Sequence, residues 1–120
     1  MKLRLNLSKQ EKLRRNRQFK EVYMRGRRLS GPHLTISFLP NRCKHSRLGL
    51  SVSKKRFRLS VRRHYIQRRL REVYRLNKRS FLPGYDIIIT ALRFNKDNIC
   101  FEDIKKELFF LAQKARLLER

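Results

Sequence analysis

Three stretches of the chain repeat apolar side chains at the three- and four-residue spacing of an amphipathic helix. The first covers about residues 12–25, and Gly26 then provides a natural stop. The second covers about residues 61–76 and follows Ser60, a residue type that favours the N-cap. The third covers about residues 102–118, with acidic residues at its start and basic residues near its end, as the helix dipole favours. The pattern predicts three helices, each with one buried side.

Between these helices, apolar and polar side chains alternate with the period of a β-strand. Residues 33–39 place large apolar side chains on one face and Thr35 and Ser37 on the other, which predicts a half-buried strand. Residues 48–53 alternate in the same way, and this second strand is expected to run antiparallel to the first. Residues 86–92 are almost continuously apolar, which is typical of a strand in the middle of a sheet. The order helix, two or three strands, helix, strand, helix indicates an α+β or α/β sandwich.

The charge of the chain is concentrated in two blocks. The chain has 120 residues, enough for one domain, and its 33 Lys and Arg against 9 Asp and Glu give a net charge of +24. Residues 1–28 hold eleven basic and two acidic residues, and residues 53–79 hold twelve and one, whereas residues 80–120 hold seven and six. A folded domain with such an excess is expected to bind a polyanion. Nucleic acid is the commonest one, because binding releases ions condensed on its phosphates.

Secreted and membrane classes are disfavoured by the same sequence. Cys43 and Cys100 are the only cysteines and lie far apart, which argues against a disulfide scaffold. Every apolar run is far too short to cross a bilayer, and residues 1–7 lack the continuous apolar stretch of a signal peptide. We therefore expect a cytoplasmic protein with reduced thiols, in which residues 1–9 form a flexible basic lead-in.

The second predicted helix separates apolar from basic side chains. At about 100° per residue, one side is apolar and consists of Ile66, Leu70, Val73 and Tyr74. Nearly opposite runs a ridge of four residues, His64, Arg68, Arg71 and Arg75. Lys54 and Lys55 lie in the loop just before this helix. Arginine forks grip phosphate oxygens, and a helix spaces several of them along a backbone, so we predict a phosphate-binding surface. The pattern does not separate DNA from RNA, and a solvated outer face is the alternative.

The first predicted helix carries aromatic side chains among basic ones. Phe19 and Tyr23 are four residues apart, with Lys20 between them. Aromatic rings beside cations hold single-stranded nucleic acids, because bases stack on the rings while the cations neutralise phosphates. The alternative for at least one ring is burial in the core, where most aromatic side chains lie.

Catalysis by the protein alone is not expected. A two-metal nuclease needs clustered carboxylates, whereas most acidic residues here lie in the last third and suit a helix start and its exposed face. The histidines at 33, 45 and 64 fall on a strand edge, a loop and a basic helix, with no sign that they converge. Cys43 and His45 provide two ligands, too few for a metal site. We predict neither a catalytic residue nor a metal site on this chain.

Two motifs identify a resemblance. Residues 47–55 read RLGLSVSKK, and residues 63–72 read RHYIQRRLRE. This pairing resembles the protein subunit of bacterial ribonuclease P, and the similarity continues in matching order through residues 19–28, 84–86 and 101–111. At two positions the chain departs from the family pattern, which has Asn where His64 stands and Lys where Gln67 stands. These departures put contacts made through an Asn amide or a Lys in question, while the phosphate-gripping arginines are kept.

The resemblance implies a fold and a single domain over residues 1–120. The expected class is α+β, with the element order α-β-β-β-α-β-α in a two-layer sandwich whose helices pack on a mixed sheet. It also implies a left-handed crossover between the parallel strands that flank the basic helix.

The resemblance further implies partners and chemistry. The family's holoenzyme is a ribonucleoprotein that removes the 5′ leader of precursor tRNA, and its RNA subunit holds the catalytic Mg²⁺ ions. The expected partners are ribonuclease P RNA and precursor tRNA, with no membrane and no protein partner. Contacts with the RNA subunit are assigned to Lys54, Lys55, Arg63, His64, Arg68, Arg71 and Arg75. Contacts with the leader are assigned to Phe19, Lys20 and Tyr23.

Three other functions fit the charge and the size. A ribosomal-type structural RNA-binding protein matches both and differs only in its motif order. A nuclease acting alone would need an acid–base pair that the residues do not indicate. A generic DNA-binding protein would have the same basic surface.

Overall fold

The computed structural model of the chain describes residues 12–13, 16–92 and 101–118. The described helices are α1 (Asn16–Arg25), α2 (Ser60–Asn77) and α3 (Phe101–Lys114). The described strands are β1 (Arg27–Ser30), β2 (Leu34–Pro40), β3 (Arg47–Ser51) and β4 (Tyr85–Ala91). The expected order α-β-β-β-α-β-α and the α+β class are confirmed. The basic lead-in over residues 1–9 and Cys100 lie outside the described residues.

The four strands form one mixed sheet in the order β1-β2-β4-β3. β2 pairs antiparallel with both β1 and β4, whereas β3 and β4 are parallel and are connected through α2. β3 therefore runs antiparallel to β2, as expected, but β4 lies between them, in the central position that its apolar sequence predicts. The handedness of the β3-α2-β4 connection stays a prediction. The alternation of apolar and polar residues does not predict β1, because Leu29 is its only apolar residue.

The larger core lies on one face of the sheet, beneath α2 and α3. From the sheet it receives Leu34, Ile36, Phe38, Ile87, Ile89 and Ala91. From α2 it receives the four residues of the predicted apolar side, Ile66, Leu70, Val73 and Tyr74. Each fully buried side chain of this size contributes about 1.5–3 kcal/mol to folding. Burial of the apolar side of α2 turns its basic ridge away from the core, as the sequence predicts.

α1 lies on the opposite face of the sheet. Val22 of α1 packs with Leu13 and with Ile88 of β4 in a second, smaller core. Thr35 and Ser37 of β2 face the same side and are 1% and 2% exposed. The prediction of a half-buried β2 is therefore wrong, because helices cover both faces of this strand. The two-layer sandwich gains a partial third layer where α1 crosses the sheet.

α1 begins later than the pattern predicts. Lys12 forms a parallel bridge with Leu48, and the backbone N–H of Leu13 donates to the carbonyl of Leu48 at 2.9 Å. The prediction of helix from residue 12 is therefore wrong. β3 is an edge strand, so one side of its backbone is open to hydrogen bonding. Pairing with that side satisfies the backbone groups of residues 12–13 as well as a helical turn would. The predicted stop is confirmed, because α1 ends at Arg25, immediately before Gly26.

α2 begins at Ser60 itself, with Leu59 as its N-cap residue. The expected cap at Ser60 is therefore wrong by one position, and Leu59 makes no capping bond through its side chain. The backbone N–H of Arg63 donates to the carbonyl of Leu59 at 3.1 Å, which is the first bond of the helical ladder.

α3 ends at Lys114, before the predicted residue 118. Arg116 adopts the left-handed conformation, with φ of 59°. The backbone N–H of Leu117 donates to the carbonyl of Ala112 at 2.9 Å, and Leu117 is fully buried. The predicted end is wrong because this turn redirects the chain, so that Leu118 bridges to Phe81. Ala115 and Leu118 continue the helical spacing in the sequence, but they pack against the core from the turn and from the segment that follows it.

Candidate nucleic-acid interface

The basic ridge of α2 faces solvent. His64, Arg68 and Arg71 are exposed, whereas Arg75 is half-buried. Positions three and four apart lie one above another on a helix, so these side chains form a line along its axis. The acidic residue Glu72 is the only one within residues 53–79, all of which lie in the described part of the chain. The result is an extended positive surface, on the side of α2 that the sequence assigns to it.

The loop between β3 and α2 extends this surface at the start of the helix. Lys54 and Lys55 are exposed, while Phe57 is 5% exposed and anchors the loop in the larger core. The backbone N–H of Lys55 donates to Ser53 Oγ at 3.0 Å, and that of Phe57 donates to the Ser53 carbonyl at 3.0 Å. These bonds form a compact turn that presents both lysines to solvent. The structure thus brings the predicted loop and ridge together at one end of α2.

Arg63 has a use inside the chain. Its Nη1 donates to the carbonyl of Phe57 at 2.9 Å and to that of Arg58 at 3.0 Å. Its guanidinium is half-buried and bridges the loop to the first turn of α2. We infer a positioning role for this residue, while its direct contact with RNA stays a prediction.

The two aromatic residues of α1 differ in exposure. Phe19 is half-buried against Gly49 of β3, where a Cβ atom would lie 2.5 Å from Phe19 Cζ. Only glycine allows this close approach. Tyr23 is 48% exposed, and Lys20 is also exposed. The alternative of core burial therefore holds in part for Phe19, whereas Tyr23 offers an open ring beside a cation. Phe19, Lys20 and Tyr23 are named the α1 surface below.

Ser37 lies on the sheet face that α1 covers. It pairs in register with Ile88, which packs against Val22 of α1. Its Oγ is buried and has no hydrogen-bond partner among the described residues. Between β1 and β2, Ser30 Oγ and Thr35 Oγ1 lie 3.0 Å apart. These polar side chains therefore share the face of the sheet on which α1 lies.

A partly buried ion pair holds the start of β3 against the start of β4. Arg47 Nε and Nη2 donate to the two carboxylate oxygens of Asp86, each at 2.7 Å, and Asn41 Nδ2 donates to Oδ1 at 2.9 Å. The bond to Asp86 raises the pKa of the Arg47 guanidinium, and burial partly opposes that rise. Sequence reasoning missed this contact, although a single carboxylate leading an apolar strand is a signal that could have found it.

The three histidines of the described residues lie on separate elements, and one of them contacts a carboxylate. His33 Nδ1 lies 2.9 Å from Glu107, whose other oxygen accepts the backbone N–H groups of His33 at 2.8 Å and Leu34 at 2.6 Å. His45 and His64 lie on a loop and on α2. Across residues 12–13, 16–92 and 101–118, no group of three His, Cys, Asp or Glu side chains is placed to hold a metal ion. None of the helices described there has the length and apolar character to cross a membrane.

Sequence comparison finds similarity over nearly the whole chain. A family model described as Ribonuclease P matches residues 7–116. A ribonuclease P protein component from Natranaerobius thermophilus is 36% identical over 108 residues, which cover 90% of this chain and 92% of that protein. One from Clostridium botulinum strain Loch Maree is 39% identical over 108 residues, covering 89% and 96%.

Structural comparison agrees with the sequence. A Staphylococcus aureus RNase P protein mutant with defective mRNA degradation activity has a TM-score of 0.81 at 28% identity, covering 92% of each chain. The RNase P protein from Thermotoga maritima has a TM-score of 0.79 at 28% identity, covering 87% of this chain and 96% of that one. The similarity in fold therefore extends over the greater part of both proteins.

Proposed function

The chain belongs to the family of ribonuclease P protein components, and from this membership we propose how two of its surfaces serve the removal of the 5′ leader from precursor tRNA. One surface binds the RNA subunit of the enzyme, and the other binds the leader. The observation that carries the proposal is the exposed line of His64, Arg68 and Arg71 on α2, opposite a fully apolar side.

The ridge and the adjoining loop are proposed to bind the RNA subunit. Guanidinium groups at helical spacing match a series of backbone phosphates, and Lys54 and Lys55 add positive charge where the helix begins. Arg63 supports this surface by tying the loop to α2. His64 stands where the family pattern has Asn, and its ring nitrogens keep the capacity to donate a hydrogen bond. Arg75 extends the line at its half-buried end.

The α1 surface is proposed to hold the unpaired leader. Tyr23 offers an exposed ring for a base, and Lys20 offers a cation for a phosphate. Phe19 supports the helix from below through its contact with Gly49 and exposes part of its ring. The α1 surface and the α2 ridge lie on opposite faces of the sheet, so one small domain can contact two RNA molecules at once.

Hydrolysis is assigned to the RNA subunit, which is proposed to hold the Mg²⁺ ions. The support from this chain is that two of its carboxylates are engaged inside the fold, since Asp86 binds Arg47 and Glu107 binds the backbone at the start of β2. The protein lowers the repulsion between two polyanions and so lowers the Mg²⁺ concentration that cleavage requires. We also propose a cytoplasmic location, since that is where tRNA maturation would take place.

Reconstitution tests this proposal. We expect that adding the protein to ribonuclease P RNA and precursor tRNA at low Mg²⁺ accelerates 5′ cleavage. RNA binding without any gain in cleavage would instead indicate a structural RNA-binding protein of ribosomal type. Cleavage by the protein without the RNA would indicate a nuclease acting alone. Equal competition by duplex DNA at matched salt would indicate generic phosphate binding.

A further inference from the structure

A groove of about 330 Å³ opens at the end of α1, and no residue of α2 is among its described lining residues. It lies where the end of α1, the start of β1 and the turn after α3 meet the end of β2 and the start of β4. Its volume falls within the range of about 300–1,000 Å³ that is typical of small-ligand sites. None of the residues assigned above to the RNA subunit or to the leader lines it.

The floor of the groove is apolar and partly aromatic. Phe38 and Tyr85 form an edge-to-face pair with ring centres 6.4 Å apart, and Pro40 pairs with Tyr85 in register. Phe38 is held in the larger core, so the floor is rigid. Phe38 is 4% exposed and supports the floor from below, whereas Tyr85 is half-buried and Pro40 is exposed. A planar base is suited to these two side chains, because aromatic and proline rings offer flat apolar contact area.

The rim of the groove is positively charged. Arg25, Arg27 and Arg116 line it, and no acidic residue is among its described lining residues. Arg27 lies over the Phe38 ring, with its guanidinium carbon 5.8 Å from the ring centre. Arg25 also pairs with Glu21 at 3.2 Å on the exposed surface of α1. Three guanidinium groups around an aromatic floor match a ligand that combines a base with a phosphate.

The backbone at Arg116 gives an independent indication. This residue has φ of 59°, a conformation that strongly favours glycine at the end of a helix. An arginine at such a position costs stability, and strained residues of this kind concentrate at functional sites. Arg116, the residue that stands here in place of glycine, lines the groove.

We propose that this groove binds one nucleotide of the single-stranded leader, upstream of the nucleotides held by the α1 surface. The inference rests on the proposed function, which places the leader along α1. Tyr23 and Gly26 are three residues apart, about 4.5 Å along a helix axis, so a strand that passes Tyr23 reaches the end of α1. The groove begins there at Arg25 and Gly26, and the strand enters it by turning round the β1 edge of the sheet toward the face that carries Phe38. The base lies on the floor, and its phosphate is held by Arg27 and Arg116.

Leader length provides the test. Holoenzymes are reconstituted with the wild-type chain, with the double variant Arg27→Ala/Arg116→Gly and with Tyr23→Ala, and their affinities are measured for precursor tRNAs whose leaders increase in length. We expect the double variant to bind long-leader substrates about 10-fold more weakly, the equivalent of one lost charge-assisted contact. With short leaders we expect it to match the wild type. Lys106→Ala, an exposed charge loss on α3, is the matched control and should change neither.

Stability is measured on the same proteins. Arg116→Gly alone should leave the melting temperature unchanged or raise it, because glycine relieves the left-handed backbone. Weaker binding by a variant of equal or greater stability therefore cannot come from misfolding.

The other outcomes separate the two proposals. If Tyr23→Ala weakens binding and the double variant does not at any leader length, the groove proposal is wrong and the leader surface stands. If the double variant weakens binding equally without a leader, the groove contacts another part of the RNA, and its assignment to the leader is overturned. If neither variant responds to the leader, both proposals fail.

Discussion

The middle of the chain and its last third use charge in opposite ways. Residues 53–79 hold twelve basic residues and one acidic residue, and the ridge on α2 faces solvent. Residues 80–120 hold seven basic and six acidic residues, and two of these acids bind groups elsewhere in the fold. Asp86 binds Arg47, and Glu107 binds the start of β2. Two charges in the last third therefore stabilise the fold, whereas His64, Arg68 and Arg71 in the middle are exposed to a partner.

This contrast explains how one small domain tolerates a net charge of +24. The ridge lies on the outside of α2, where solvent and salt screen its self-repulsion. Burial of the apolar side of the same helix stabilises the fold and offsets the repulsion that remains. Variants that remove one charge from each region test whether the two uses are separate.

The largest effect is expected from Asp86→Ala. The change leaves the Arg47 guanidinium without its bidentate partner in a site where its side chain is 24% exposed. Removing one member of a buried pair costs about 3–5 kcal/mol of the free energy of unfolding. Urea denaturation measures this loss, and Asp103→Ala, an exposed acid in the first turn of α3, is the control. A loss below about 1 kcal/mol would show that the pair behaves as a surface ion pair. It would contradict the view that charge in the last third stabilises the fold.

A smaller effect of a different kind is expected from Arg68→Ala. Its guanidinium is exposed in the free protein, so unfolding should be unchanged within about 0.5 kcal/mol. Affinity for the RNA subunit should fall by about 1–3 kcal/mol, because a phosphate loses its charge-assisted bonds. Filter binding at fixed salt measures this change, with Lys106→Ala as the control for charge alone. Unchanged affinity in a folded variant would show that the RNA subunit binds a surface other than the ridge.

The smallest effect is expected from Glu107→Gln. The amide oxygen still accepts a backbone N–H from β2, but the negative charge that strengthens these bonds is lost. Bonds to a charged acceptor exceed neutral ones by about 1 kcal/mol, and unfolding measurements should show a loss of that size. RNA affinity should stay at the wild-type value. A fall in affinity at unchanged stability would show that the last third also takes part in binding.

Much of the functional surface is predictable from local sequence. The two sides of α2 follow from the helical period, because residues three and four apart share a side whatever surrounds the helix. The apolar run of β4 predicts its central place in the sheet for a similar reason, since both of its faces are covered. The motifs at residues 47–55 and 63–72 carry the family assignment without any structure.

Other features depend on partners that are distant in the chain. Lys12 leaves a helical pattern because the edge of β3 is within reach, and α3 ends early because Leu117 and Leu118 find places against the core and Phe81. Helical periodicity within one segment does not predict these contacts with distant residues. Arg63 belongs to the basic motif by sequence, yet two backbone carbonyls of the preceding loop engage one of its nitrogens.

The sequence by itself determined the sides of the helices, the central strand, the excess of positive charge and the family. The tertiary structure alone decided which charges are paired and which are open. It brought Arg47 to Asp86 across two strands, and it gathered Arg27 and Arg116 around one groove from opposite ends of the chain. The physical reason is that periodicity arises from backbone geometry within a few residues, whereas pairing and concavity arise only when distant segments pack together.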